Sequence, residues 1–404
     1  MLRPRFLLGA IIALPALAPG TAWAEPVFVF DASLEAGYST NPFQAVGGDT
    51  GSGVISASVA PAIEDRDARG GFRLGGRIAV KEYLERYNTA TDYGATFNVD
   101  RILDARTQLR GTLGFSSAIT GDNDLLFPSQ PGTAIEPVVP PAPGDITLNG
   151  VRRRQQVFSS AASVTHKPSA RDVLALSVSG SINRFSGRQV LPVLGNGDEY
   201  NSFGQRLTYF RVLSADLSVG GAFGATRTDY RRTDLGDGRT LTPQLTAQWR
   251  PGPQWSVDLA IGASFTRQQT EHGLRTQSAL AGTIDACYDT SRSKFCVEAS
   301  RDALPSAFDG ITNRTSFGIR YSYRLSERSN IGSAVSYDRS ARRNTLLSPK
   351  VEAVAASLNF DRQISRQFSL FTVASYGDTY ERTLPRKANV QVFAGVRYSF
   401  GNRR

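Results

Sequence analysis

From Val27 the chain is patterned in twos. Between Trp255 and Thr266 the odd positions Trp255, Val257, Leu259, Ile261, Ala263 and Phe265 are apolar, while Ser256, Asp258, Ala260, Gly262, Ser264 and Thr266 are small or polar. A strand turns successive side chains to opposite faces, so this alternation makes a ribbon with one apolar and one wet face. The same division separates Phe72, Leu74, Gly76, Ile78 and Val80 from Arg73, Gly75, Arg77, Ala79 and Lys81. It returns at Phe317, Ile319, Tyr321, Tyr323 and Leu325 against Ser316, Gly318, Arg320, Ser322 and Arg324.

A soluble sandwich shares this alternation, but length and rhythm select a membrane barrel. The segments run to about 10–15 residues, longer than the ~5–6 of a globular strand and suited to the ~9–11 that cross a bilayer at a tilt. Short connections ("ILDA", "HKPSA", "LSAD", "RPGPQ", "LSERS", "RQISRQ") alternate with long ones, among them residues 121–151 and 187–201. Tight periplasmic turns and longer external loops have this rhythm. Lipid cannot satisfy an open sheet edge, so the sheet must close. The prediction is an all-β chain: one closed antiparallel transmembrane β-barrel of about 18 strands (16 to 18) over residues 25–404, both ends periplasmic. Predicted strands include 91–100, 106–119 and 390–400.

Composition narrows the class. The 404 residues are 40% hydrophobic and 20% charged, with a mean hydropathy of −0.25. After residue 24 no apolar run of about 20 exists, which excludes a helical membrane protein. An even spread of Tyr, Phe, Val, Leu and Ile excludes disorder. A wide barrel accounts for the low hydropathy, because each lipid-facing residue is paired with a wet one. The first 24 residues have a basic start (Arg3, Arg5), an apolar stretch from Phe6 to Pro19, and Ala22-Trp23-Ala24 before Glu25. This is the form of a secretory signal peptide cleaved after Ala24, which directs the chain to the bacterial outer membrane and its lipids. Cleavage takes the net charge from +10 to about +8, by loss of two arginines.

Trp249 and Trp255 flank the turn "RPGPQ" and are expected at the membrane interface, where an indole has both an apolar and a wet neighbour. Cys287 and Cys296 frame "YDTSRSKF". A turn centred on Ser291 and Arg292 sets the two cysteines opposite each other on adjacent strands, both pointing inward. That arrangement predicts a disulfide at the periplasmic end.

The inward parity is mostly small and polar, too small to fill so wide a barrel, so a hydrated pore is expected. Its predicted lining includes Arg73, Arg77 and Lys81 on one strand, Arg106 and Arg110 on another, and Arg320, Arg324 and Arg397 elsewhere. Asp92, Asp100, Asp258, Asp285 and Glu298 share that parity. Arginine rows favour anions, and opposed basic and acidic rows set up a transverse field; the same residues equally serve to keep a wall wet. Residues 121–151 carry Pro128, Pro131, Pro137, Pro140, Pro141 and Pro143, which cannot join a ladder. Such a loop either folds into the lumen as a constriction or lies across the mouth as a lid.

Catalysis is not expected. His166 and His272 fall at opposite ends of the barrel and cannot form one site. Two thiols without a nearby His supply too few ligands for a metal, and no phosphate-binding glycine loop suggests a cofactor. Arginines alternating with lipid-facing residues suit a lumen better than a nucleic acid.

The segment "SLEAGYSTNPF", through Gly37, Tyr38, Asn41, Pro42 and Phe43, resembles the opening of the beta-barrel porin 2 family. Ser39 and Thr40 stand where that family commonly has acids. The resemblance implies an outer-membrane pore exporting an extracellular polysaccharide, with a periplasmic or inner-membrane export complex as partner. The alternatives are a general or anion-preferring nutrient porin and a barrel that binds partners through its external loops.

Overall fold

The computed structural model describes residues 26–47, 50–120, 145–149, 152–186, 199–231, 236–270, 273–341, 350–381 and 386–401. The expected signal peptide lies outside these residues, as do His272 and most of the 121–151 loop.

The first six strands are β1 (Val27–Ser39), β2 (Ser52–Asp67), β3 (Gly70–Tyr83), β4 (Ala90–Asp104), β5 (Thr107–Ile119) and β6 (Arg154–His166). They continue as β7 (Asp172–Ser186), β8 (Tyr200–Val212), β9 (Leu217–Tyr230), β10 (Gly238–Trp249), β11 (Trp255–Thr270) and β12 (Gly273–Asp289). The last six are β13 (Ser293–Ser306), β14 (Gly310–Ser326), β15 (Ser329–Ala341), β16 (Lys350–Gln363), β17 (Phe368–Tyr380) and β18 (Asn389–Phe400). Each strand pairs antiparallel with the next, and β18 closes on β1 from Phe30↔Phe400 to Ser39↔Gln391. The expected 18-stranded closed barrel is what forms.

The period-2 pattern becomes an outside and an inside. Leu34, Ile55, Leu74, Ile78, Phe223, Leu245, Ile261 and Phe265 are exposed on the outer wall, as a lipid-facing surface requires. Trp249 and Trp255 are also outward and half exposed, at 49% and 48%. From Trp255 to Phe265 the apolar band climbs about 25 Å, taking a rise of ~3.3 Å per residue and a tilt of ~40°. Short turns gather at the Trp255 end and long connections at the other, which orients the molecule.

One hairpin leaves the wall. β12 and β13 are paired only from Gly282↔Arg301 down to Asp289↔Lys294, whereas β13 and β14 stay paired up to Ser306↔Gly310. Above Arg301 the β13–β14 tip therefore bends away from β12 and into the barrel. Its Ile311 packs with Tyr200 of β8 and Tyr230 of β9, Tyr230 Oη donates to the Ser306 carbonyl at 3.3 Å, and the Ile311 N–H donates to Gln268 Oε1 of β11 at 3.4 Å. Gly238 of β10 makes room for it, since a Cβ there would stand 2.3 Å from Ile311 Cδ1.

Candidate functional site

The lumen divides into a filled external half and an open periplasmic half. The external half holds the β13–β14 tip, and on the tip rests a single 3-10 turn, Ile146–Leu148, from the proline-rich connection. Asp145 caps this turn, accepting from the Thr147 N–H at 3.0 Å, and its other oxygen accepts from the Ala307 N–H at 2.8 Å. Thr147 Oγ1 meets Ser306 Oγ at 3.0 Å. Ile146 packs on Val351 and Ala353 of β16, while Leu148 lies between Phe185 of β7 and Ala307. Residues from opposite sides of the barrel thus meet on one turn. Of the two placements left open by sequence, the described part of the loop, 145–149, takes the lumen.

Two more external segments lock onto it. Thr379 of β17 receives a hydrogen bond from Asn149 Nδ2 at 3.0 Å and donates to Gln44 Oε1 of the first external loop. Arg386 donates to the Asn149 carbonyl and pairs with Glu381 at 3.1 Å, both side chains essentially without solvent contact. Phe43, a residue of the opening motif, packs with Val54, Tyr83 and Ala90, and Arg152 lies over its ring at 4.7 Å. Arg314 of β14 bonds Asp338 of β15 through Nε at 3.0 Å and Nη2 at 2.7 Å, largely dry. Asp302 lies in the field of Arg206, which reaches in from β8.

The periplasmic half is polar, and most of its arginines have an acid beside them, from the mostly covered Arg73–Glu64 pair to the exposed Arg320–Glu298 pair. Arg73 meets Glu64 at 2.7 Å, Arg110 meets Asp100 at 3.1 Å, Arg250 meets Asp258 at 3.0 Å and Arg320 meets Glu298 at 2.8 Å. Gly318 leaves the space through which Glu298 reaches, since a Cβ there would approach its carboxylate to 2.7 Å. Arg397 spans β17 to reach Asp361 at 3.1 Å, with its guanidinium over Phe371 at 5.0 Å.

Seven of the eight expected basic residues lie on inward-facing strand positions. Arg106 does not: it occupies the periplasmic turn between β4 and β5, its Nη1 donating to the Pro168 carbonyl at 3.4 Å. The turn closes one residue later than the strand alternation alone implies, because Asp104 accepts from the Arg106 N–H at 2.7 Å and ends the ladder. Among described residues Arg77 and Arg324 have no ion pair, and Arg77 is exposed well inside the lumen. Lys81 is buried beneath the external segments. Sequence reasoning missed Glu64, Asp361, Arg314 and Asp338. Their parity was legible, but the pairing needed the register.

Cys287 and Cys296 are register partners and are joined, S–S 2.08 Å, on the inner wall near the periplasmic turn. His166 stands at the same rim, with Nδ1 3.0 Å from Thr107 Oγ1.

A closed antiparallel barrel with an apolar belt of bilayer height and a polar interior defines the class: this is a transmembrane β-barrel of the bacterial outer membrane. No family model and no curated protein matches the chain. Among solved structures it is similar to Pseudomonas aeruginosa OccK2 (OpdF) in complex with glucuronate, at TM-score 0.49 and 10% identity over 93% of this chain and 98% of that one. Pseudomonas aeruginosa OpdL gives TM-score 0.48 and 12% identity over 93% and 99%. A BenF-like porin from Pseudomonas fluorescens Pf-5 gives 0.47 and 9% over 94% and 99%. The likeness is one of coarse architecture.

Proposed function

We propose that the protein is a passive pore for small hydrophilic solutes, narrowed on its external side. The observation that carries this reading is the inserted β13–β14 tip with the Ile146–Leu148 turn upon it, standing across a lumen whose periplasmic half is polar and wet. Passage needs no chemistry: small polar walls shed solutes readily, and the narrow zone sets size and charge preference. Arg77, exposed and without a counter-ion among described residues, is the lumen cation best placed to favour acidic solutes. Arg73, Arg110, Arg320 and Arg397 keep the wall wet while their acids cancel most of their field.

Polysaccharide export, which the opening motif implies, draws no support from this geometry. A long polymer needs a wide bore, and the inserted hairpin and turn narrow the external half. The nutrient-porin alternative fits better.

Single-channel recording and liposome swelling test the proposal. The native protein should pass monosaccharides and small carboxylates and exclude long oligosaccharides. Replacing Ile146 and Leu148 by Gly, which removes the turn's apolar anchors, should raise conductance several-fold. Absence of both conductance and swelling in native and variant protein would remove the pore reading, and free passage of long oligosaccharides through the native protein would restore export.

A further inference from the structure

Three arginines that play no part in the lumen form a row on the outer wall. Arg239 of β10 is the register partner of Arg227 of β9 on one side and of Arg267 of β11 on the other. All three are exposed and have outward parity. Directly opposed strand positions lie about 4.5–5.5 Å apart, so three cationic stems occupy roughly 10 Å of wall. Like charges so placed repel and weaken a sheet. Arg227 has a partner, Asp229, at 2.7 Å. The side chains of Arg239 and Arg267 have neither hydrogen bond nor ion pair among described residues. Among described residues the other acid nearby, Asp237, accepts from the Tyr230 N–H at 3.1 Å and lies in the field of Arg227.

The height of the row is informative. On all three strands the outward apolar run ends at the arginine: Phe223 and Ala225 precede Arg227, Leu241 adjoins Arg239, and Phe265 precedes Arg267. Arg267 is twelve residues from Trp255, which is about 30 Å up a strand tilted by ~40°, just past an apolar band of ~25 Å. The row therefore sits where acyl chains end and headgroups begin, on the side of the long loops.

We propose that Arg227, Arg239 and Arg267 bind the phosphate of an outer-leaflet glycolipid headgroup. Phosphate oxygens accept the paired N–H donors of guanidinium in a bidentate fork, and one such anion between adjacent arginines turns their repulsion into shared attraction. A lipid suits the row better than a free anion, because its chains can lie on Phe223, Leu241 and Phe265 immediately below.

The test uses the full-length barrel in detergent, with binding read by native mass spectrometry and by thermal shift. The probes are diphosphoryl lipid A, the same lipid without phosphates, and inorganic phosphate. The phosphorylated lipid should bind at least about tenfold more tightly than the dephosphorylated one, the equivalent of a single charge-assisted contact. Arg239→Gln/Arg267→Gln should abolish that ratio, while Arg171→Gln at the periplasmic rim should leave it intact. Equal binding of the two lipids by native protein would overturn the proposal, as would an unchanged ratio in a correctly folded double variant. Competition by inorganic phosphate at the lipid's own concentration would reassign the row to free anions and overturn the lipid. Should the double variant fail to fold, the two-lipid comparison on native protein decides alone.

Discussion

Arg314 and Arg320 stand six residues apart on the inward face of β14, and each pairs with an acid on an adjacent strand. The Arg314–Asp338 side chains are 8% and 10% exposed, beneath the inserted hairpin; the Arg320–Glu298 side chains are 58% and 46% exposed, in the open half. The chemistry is the same and the surroundings are opposite. A pair taken out of water must be held by complete hydrogen bonding, which Arg314 supplies through two nitrogens and Ser316 through its hydroxyl. A pair left in water contributes little to stability and can exchange partners with passing solute. The external half of the lumen is thus built like a protein interior and the periplasmic half like a protein surface.

The largest expected effect probes that contrast directly. Arg314→Ala leaves Asp338 buried without its cation and should cost about 3–5 kcal/mol, whereas Arg320→Ala should cost less than about 1 kcal/mol. Denaturant midpoints of the two variants refolded in the same lipid give both values, and equal losses would erase the distinction between the halves. Next in size is the disulfide, which closes a short hairpin and should contribute roughly 2.5 kcal/mol at most. Cys287→Ser/Cys296→Ser should still form a barrel, and the native thiols should resist alkylation until a reductant is added. Alkylation without reductant would remove the crosslink.

Ion preference carries the smallest effect. Arg77→Gln should lower the anion-to-cation permeability ratio at low salt, because a charge without a counter-ion projects into the lumen. Glu64→Gln/Arg73→Gln removes a cation and an anion together and should leave the ratio nearly unchanged, as should Arg106→Gln in the rim turn. Reversal potentials measured across a salt gradient separate these outcomes. A fall as large in the paired variant as in Arg77→Gln would mean that the acids do not offset their arginines.

The barrel itself was legible because lipid enforces a rule of period two on every strand, and one residue of slip would expose a whole wet face to hydrocarbon. The disulfide was legible for a related reason: in a tight hairpin, sequence separation sets register. The ion pairs were legible only as parities. Arg397 reads as inward, but that it meets Asp361 across β17, over Phe371, depends on the register of three strands. Arg106 was misplaced by a one-residue shift of a turn, where side-chain hydrogen bonding overrides alternation.

The inserted hairpin was not legible at all. Residues 302–313 carry no signal that separates an inserted tip from an ordinary strand end, and Pro305 marks only a position that gives up a ladder donor. What draws the tip inward is its burial against Tyr200, Tyr230 and Gln268, and what seats the Ile146–Leu148 turn is Ser306, 159 residues from Thr147. The sequence alone determined the wall: its closure, its strand number to within two, its belt and its inward face follow from a local pattern answering to a two-faced environment. Only the tertiary structure decided what stands inside that wall, because the filling of a cavity depends on contacts between distant segments, which no local periodicity encodes.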